Sequence, residues 1–262
     1  MKSKWRRIVF VSCTHVGSTV ALWPESFELD EGVEIRASPN QLKILEYWND
    51  FWSHEAKDAD TVVLLGDLCQ GKNPKDFGLG SMNTDLHIQA AAAVKLIEPH
   101  TQGKQVIGVS GSKYHDSFDM RLDELIVKRL GGKFFGMLKN LFVKGPDIVL
   151  NIAHGTSMPS MYKGSFDDRE IMLMSANGMT RGIDFVARGH WHYFHILKNS
   201  SRGILRVPGW QMWYPARFMI DLLGKKNNKL GAVVVDFGPN KQFRDYPRLY
   251  ESPLTWGACE EI

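Results

Sequence analysis

Short apolar runs alternate with amphipathic segments through the first half of the chain. Three runs rich in β-branched residues predict buried strands at 8–12, 61–65 and 105–109. Two amphipathic segments predict helices, one from the Ser38 cap and Pro39 to about Lys57, and one from Asn83 or Thr84 through Leu96. This alternation predicts parallel strands with right-handed crossovers, and it places functional chemistry at the carboxyl ends of the strands.

The second half of the chain has shorter and more frequent strand patterns. Apolar runs predict strands at 147–153 and 183–187, with a helix over about 167–177 between them. Four further runs predict antiparallel strands that close a second sheet: 195–197, 204–207, 232–236 and 243–249. Because no repeat or Pro/Gly-rich linker separates the halves, we expect a single domain over 1–262, an α/β fold of two packed mixed β-sheets flanked by helices.

Composition narrows the class of protein. The chain has 262 residues, 44% of them hydrophobic, and a formal net charge of +3, which excludes a disordered or collagen-like protein and gives no general sign of a nucleic-acid binder. Three cysteines are too few for a disulfide framework, so a reducing compartment fits best. The basic start is followed by too short an apolar run for a signal peptide or membrane span, so we expect a cytoplasmic protein without a membrane partner.

Metal-binding or acid–base side chains follow five successive apolar runs. They are Cys13 with His15, Asp67, His115, His154, and His190 with His192. Residues at positions i and i+2 near a strand end can project to the same side, so each His-containing pair can present two groups to one site. A set rich in imidazole, with one carboxylate and one thiol, suits Zn, Fe or Mn better than Ca or Mg.

In this order, the residues resemble the motifs of the calcineurin-like metallophosphoesterase superfamily. The family pattern is Asp-x-His, Gly-Asp, Gly-Asn-His-Asp/Glu, His and Gly-His-x-His, each at a strand end. The matching segments span about positions 6–195 and are Cys13-Thr14-His15, Gly66-Asp67, Gly111-Ser112-Lys113-Tyr114-His115-Asp116, His154 and Gly189-His190-Trp191-His192. Two departures stand out: Cys13 replaces the first aspartate, and Ser112 replaces the asparagine, with His115 displaced by two residues.

The resemblance implies an α/β/β/α sandwich that binds two divalent metal ions, Mn, Zn or Fe. One ion would be held by Cys13, His15, Asp67 and His192, and the other by Asp67, His154, His190 and Ser112. Two cations about 3.5–4 Å apart activate a water for attack on a phosphate ester. Asp67 would bridge them, His115 would stabilise the transition state or protonate the leaving group, and Asp116 would orient the His115 ring.

Three functions remain open at this point. The preferred one is a metal-dependent phosphoesterase acting on a phosphodiester, a nucleotide or nucleic acid, because nearly all the imidazole ligands are retained. The second is a non-catalytic binding or scaffold protein on a degraded metallophosphoesterase fold, which Cys13 and Ser112 favour. The third is a Zn-dependent amidohydrolase, whose His-x-His motif would be expected near the start of the chain. The sequence leaves the oligomeric state open.

Overall fold

Two mixed β-sheets form the framework of the computed structural model, which describes residues 5–29, 32–72, 78, 80–116, 120–155, 182–198, 202–212 and 229–253. In spatial order the first sheet consists of β13 (Phe243–Tyr250), β12 (Leu230–Phe237), β1 (Arg6–Val11), β4 (Thr61–Leu64), β5 (Gln105–Gly108) and β6 (Lys133–Phe134). Strands β1, β4, β5 and β6 run parallel, and β12 and β13 are antiparallel to their neighbours.

The second sheet lies against the first. In spatial order it contains β10 (His195–Lys198), β11 (Gly203–Arg206), β9 (Phe185–Arg188), β8 (Ile148–Ala153) and β7 (Leu138–Val143). Its three central strands are parallel, and its two outer strands are antiparallel to them. A short hairpin, β2 (Ser26–Glu28) with β3 (Glu34–Arg36), stands apart from both sheets.

Three α-helices are found among the described residues: α1 (Pro39–His54), α2 (Leu86–Thr101) and α3 (Leu122–Arg129). Helix α1 begins as predicted, because the Gln41 amide donates to Ser38 Oγ and the Gln41 side chain accepts from the Ser38 amide, a reciprocal capping box. A 3-10 turn covers Pro239–Lys241. Within the described part of the chain, no helix is both long and apolar enough to cross a membrane.

The first sheet is buried on both faces because its side chains alternate between two cores. Val9 and Val11 lie on the face of the sheet that packs against the helices, where Trp48 is fully buried. Phe10 points the other way and stacks near Phe185 of the second sheet, with ring centroids 6.4 Å apart. This packing fixes the two sheets face to face, so that the loops after their parallel strands meet.

The predicted α/β architecture with two packed mixed sheets is confirmed, but the expected composition of the second sheet is wrong. The runs at 232–236 and 243–249 belong to β12 and β13, and β12 pairs antiparallel with β1 in the first sheet. The reason is burial: Val234 faces the helices and Val235 faces the second sheet, as expected only of a strand covered on both sides. The helix predicted at 167–177 lies outside the described residues.

Candidate metal centre

Backbone pairing continues past the ends of β1 and β4 and brings three predicted ligands side by side. The Cys13 amide donates to the Gly66 carbonyl at 3.0 Å, and the His15 amide donates to the Asp67 carbonyl at 3.1 Å. The two loops therefore run alongside each other beyond the sheet. As a result, Cys13, His15 and Asp67 lie within one buried cleft, each at most 2% exposed.

The same cleft is where strained backbone concentrates. Nine described residues other than glycine have a positive φ, and five of these are predicted ligands. They are Cys13 (φ 52°), His15 (43°), Asp67 (53°), His190 (73°) and His192 (53°). Each such residue costs about 1–3 kcal/mol, and clusters of this kind are typical of functional sites.

A close backbone approach brings the loop after β9 into the site. A Cβ on Gly189 would lie 1.8 Å from Ser12 Oγ, so only glycine fits at this contact. Beyond it, the His190 amide donates to Cys13 Sγ at 3.3 Å. Gly209 is also close to this loop, since a Cβ there would lie 2.9 Å from the His192 ring. The Gly-His-x-His loop is thereby held against the loop that carries Cys13.

The side chains of these loops converge into three overlapping groups. In each group the candidate ligand atoms lie within 4.8 Å of one another. The groups are Cys13 with His15 and His192, Cys13 with Asp67 and His154, and His15 with Asp67 and His115. Cys13, His15 and Asp67 each belong to two groups, so the three groups form one continuous cluster.

Ring nitrogens crowd together in two places within this cluster. His15 Nε2 lies 3.1 Å from His192 Nε2. On the other side of the cleft, His154 Nε2 lies 2.8 Å from Asp67 Oδ2 and 3.0 Å from His190 Nδ1. The second nitrogen of the His154 ring contacts the Leu65 carbonyl at 2.6 Å, which fixes the orientation of the ring. Converging imidazole nitrogens and a carboxylate are the donor set of a transition-metal site.

Electrostatics keeps two central groups in the form that a metal requires. Burial lowers the pKa of His15 well below its ordinary value, and the neighbouring His115 and His192 lower it further, so the ring is neutral at pH 7. Burial opposes ionisation of Asp67, but the positive charge of His154, together with that of His115, holds the pKa of this carboxyl well below its usual range. The Asp67 charge in turn raises the His154 pKa against the effect of burial.

Cys13 is a thiol in the absence of a cation. Burial and, secondarily, the Asp67 charge raise the pKa of Cys13 well above its ordinary value. Its sulfur lies 3.1 Å from Ser12 Oγ and accepts from the His190 amide, and these two contacts favour the thiolate. The sulfur therefore needs a bound cation to lose its proton at neutral pH.

His115 reaches the site despite the two-residue displacement in its motif. A turn in which the His115 and Asp116 amides both donate to the Ser112 carbonyl folds it back, and its ring packs edge-on to His15 with centroids 4.4 Å apart. His115 Nδ1 contacts the Gln70 carbonyl at 2.6 Å. Asp116 does not orient this ring as expected, because its carboxylate accepts from the Asp123 amide at 2.8 Å.

Ser112 lies beside Asp67, with its amide donating to Asp67 Oδ1 at 2.6 Å. Its hydroxyl is buried without a hydrogen-bond partner, as is Nδ1 of His15. Such orphaned donors and acceptors are costly in a protein interior. The unsatisfied polar atoms, the overlapping ligand groups and their N, S and O chemistry fit divalent transition metals at this position.

Sequence reasoning missed a buried carboxylate next to the predicted ligands. Asp123 of α3 is 1% exposed, and it accepts from backbone amides of both the Gly66-Asp67 and the Gly111-Ser112 turns. Burial first, and then the charges of Asp116 and Asp67, raise the pKa of Asp123, whereas the Leu68 and Gly111 amides that donate to it lower this pKa and favour the carboxylate. Burial also raises the pKa of Asp116 to about 6. No helix is predicted at α3 from the sequence, and nothing in the sequence there indicates that this side chain faces the site.

Metal uptake is expected to release one more proton from the wild-type protein than from Cys13→Ser. The raised Cys13 pKa means that the thiol is protonated at pH 7 and must ionise to bind a metal, whereas a serine hydroxyl keeps its proton. For each pH unit above pH 7, the Zn²⁺ affinity of the wild type should therefore rise about tenfold more than that of the variant. Calorimetric titrations in buffers of different ionisation enthalpy measure the difference, and equal release by both proteins would show that Cys13 stays protonated.

Neither a protein-family model nor a curated protein sequence matches the chain. Solved structures of similar fold include an archaeal phosphodiesterase (16% identity, 92% of this chain and 99% of that chain, TM-score 0.46). Vacuolar protein sorting 29 from Cryptosporidium parvum is 10% identical, with 94% of this chain and 98% of that chain covered and a TM-score of 0.49. A predicted phosphoesterase from Streptococcus pneumoniae is also 10% identical, with 94% of this chain and 99% of that chain covered and a TM-score of 0.38. All three matches lie below 25% sequence identity and below a TM-score of 0.5.

Proposed function

We propose that this chain is a calcineurin-like metallophosphoesterase, a metal-dependent hydrolase of phosphate esters. The observation that carries the proposal is the convergence of Cys13, Asp67 and the imidazoles of five histidines in one cleft. The cluster also leaves two buried polar atoms, Nδ1 of His15 and the Ser112 hydroxyl, without a hydrogen-bond partner. A pair of divalent cations bound by these side chains would supply the charge that phosphate chemistry needs.

The ligand sets follow from the contacts between side chains. Cys13, His15, Asp67 and His192 would hold one metal, and Asp67, His154 and His190 would hold the other, with Ser112 beside Asp67 as a weaker oxygen donor. Divalent cations held by these residues would bind phosphate oxygens and would lower the pKa of a water toward neutrality. Zn or Fe suits the thiol and imidazole side of the cleft, and Mn suits the side that carries Asp67.

The protein's own groups supply orientation and proton transfer. The Gln70 carbonyl accepts the Nδ1 proton of His115, so Nε2 of that ring is the atom available to the substrate. In its protonated form His115 donates from Nε2 to a phosphate oxygen or to the departing alkoxide. The edge-on contact with His15 keeps the ring next to the ligand cluster.

The narrower part of the proposal is a phosphodiester substrate, a nucleotide or a nucleic acid. A diester carries one negative charge on its phosphate, whereas a monoester carries about two near neutral pH. Arg188, which directly precedes the Gly-His-x-His loop, donates instead to Asn151 and to the Ala187 carbonyl within the second sheet. Because this arginine is engaged in the second sheet, the less charged ester fits the cleft better.

A binding or scaffold protein on the same fold is the second candidate. Two observations favour it: the Cys13 thiol stays protonated without a cation, and Ser112 offers a hydroxyl where the family has an amide. In that case the cleft binds metal weakly and turns over no ester.

An assay with bis(p-nitrophenyl) phosphate and p-nitrophenyl phosphate separates the two candidates. We expect chelator-treated protein to be inactive, Zn²⁺ or Mn²⁺ to restore hydrolysis, and kcat/KM to be at least about tenfold higher for the diester. His192→Ala should lose the activity, and His87→Ala, which changes an exposed histidine of α2, should keep it. Hydrolysis of neither ester with Zn²⁺, Mn²⁺ or Fe²⁺ would favour the scaffold.

A further inference from the structure

One carboxylate ties together the two turns that carry Asp67 and Ser112. Asp123 Oδ2 accepts from the Gly111 amide at 2.7 Å and from the Asp67 amide at 3.1 Å, and its Oδ1 accepts from the Leu68 amide at 2.9 Å. Because three amides from two loops meet on one fully buried side chain, neither loop can shift without breaking hydrogen bonds that water cannot replace.

The turns also touch each other directly. A Cβ on Gly111 would lie 2.2 Å from both the amide nitrogen and the Oδ1 atom of Asp67, and a Cβ on Gly66 would lie 2.4 Å from the Gly111 backbone. This close approach lets the Ser112 amide donate to Asp67 Oδ1. Asp67 has a strained backbone with φ of 53°, a conformation that persists only when its surroundings impose it.

Helix α3 holds Asp123 in place. The Asp123 amide donates to the Asp116 carboxylate, and the Leu122 amide donates to the Asp116 carbonyl, so the start of α3 is anchored to the segment that follows His115. Asp123 lies in the first turn of the helix. The carboxylate thus connects a rigid element to both loops.

We propose that Asp123 is a positioning residue of the metal centre. By accepting hydrogen bonds from the Gly66-Asp67 and Gly111-Ser112 turns, it holds them together and fixes the direction in which Asp67 presents its carboxylate to a metal. The inference rests on the proposed function in so far as it concerns metal. It gives Asp123 no contact with substrate and no proton transfer. Its effect is exerted through the backbone of Asp67.

Asp123→Asn is the decisive variant, because asparagine keeps the volume but turns one acceptor oxygen into a donor that faces backbone N–H groups. We expect the amides of Asp67, Leu68 and Gly111 to exchange hydrogen at least about tenfold faster in the metal-free variant. We expect Zn²⁺ affinity to fall by about 10–100-fold. Asp123→Glu retains the carboxylate with one more methylene, so its amide exchange and its Zn²⁺ affinity should lie between those of the wild type and Asp123→Asn. This variant decides the question if Asp123→Asn does not fold.

Asp184→Asn is the matched control. Asp184 is also buried and accepts a backbone amide, that of Val149, but it lies at the amino end of β9, away from the ligand loops, and pairs with Lys241. Its replacement should lower the thermal midpoint and leave both Zn²⁺ affinity and exchange at the three amides unchanged. The control therefore separates a local effect on the site from a general loss of stability.

The outcomes distinguish this inference from the proposed function. Unchanged exchange at the three amides in Asp123→Asn overturns the inference, as does an equal loss of Zn²⁺ affinity in Asp123→Asn and Asp184→Asn. Wild-type protein that takes up no Zn²⁺ contradicts the proposed function. In that case the exchange measurement on metal-free protein still decides whether Asp123 clasps the two turns.

Discussion

Replacing Asp67 by asparagine should abolish phosphodiesterase activity, lowering kcat/KM by about 1,000-fold or more. The carboxylate is buried, lies 2.8 Å from His154 Nε2, and is the charged group shared by two of the three ligand groups. Asparagine keeps its size and still accepts from the Ser112 amide, so the thermal midpoint should stay within about 4 °C of the wild type. Steady-state kinetics with added Zn²⁺ or Mn²⁺ and a thermal melt measure both quantities.

The matched control for this variant lies at the other end of the same strand. Asp60 directly precedes β4, accepts from the Arg7 amide and is 43% exposed, so Asp60→Asn changes an equivalent charge far from the cleft. It should retain full activity. Turnover by Asp67→Asn at the wild-type rate would contradict the assignment of Asp67 to the metal centre.

Replacing Cys13 should change which metal the site prefers. Cys13→Asp supplies the hard oxygen ligand of the family pattern, so we expect the ratio of Zn²⁺ to Mn²⁺ affinity to fall by about 10–100-fold, with hydrolysis retained or increased. Cys13→Ala should weaken Zn²⁺ binding without strengthening Mn²⁺ binding, because it removes a ligand and supplies no other. Competition titrations with a chromophoric chelator give both affinities.

Cys69 provides the control for Cys13. It is equally buried and unbridged, yet it belongs to none of the three ligand groups of the described residues. Cys69→Ala should leave metal preference unchanged. If the wild type and the Asp and Ala variants at position 13 have the same metal content and activity, Cys13 only packs near the site and is not a ligand.

Much of the site was visible in the sequence because each residue follows a strand. The apolar runs that became β1, β4, β8 and β9 are strongly patterned, and parallel strands present their carboxyl ends at one edge. The positions of His15, Asp67 and His154 therefore followed from the order of motifs and strands. The direction of each side chain could not be predicted, because it depends on a left-handed backbone conformation. Glycine is the usual sign of that conformation in a sequence, and these residues are not glycines.

The parts that could not be predicted depend on contacts between distant segments. The run Leu230–Phe237 indicates a doubly buried strand, but its partner, β1, lies more than 200 positions away in the chain, and propensity does not encode such a pairing. Asp123 is similar: an acidic residue in the first turn of a helix is ordinary. Only the folded chain brings it against the amides of Asp67 and Gly111.

Whether the cleft is a metal centre is tested by a crystal structure of the protein grown with Zn²⁺, with anomalous diffraction recorded on both sides of the zinc absorption edge. We expect anomalous peaks inside the cleft, one of them about 2.3 Å from Cys13 Sγ and about 2.0–2.1 Å from ring nitrogens of His15 and His192. A second peak beside Asp67, His154 and His190 would complete the pair. A cleft without anomalous density at saturating Zn²⁺, with these side chains hydrogen-bonded only to one another, would show that it is not a metal centre.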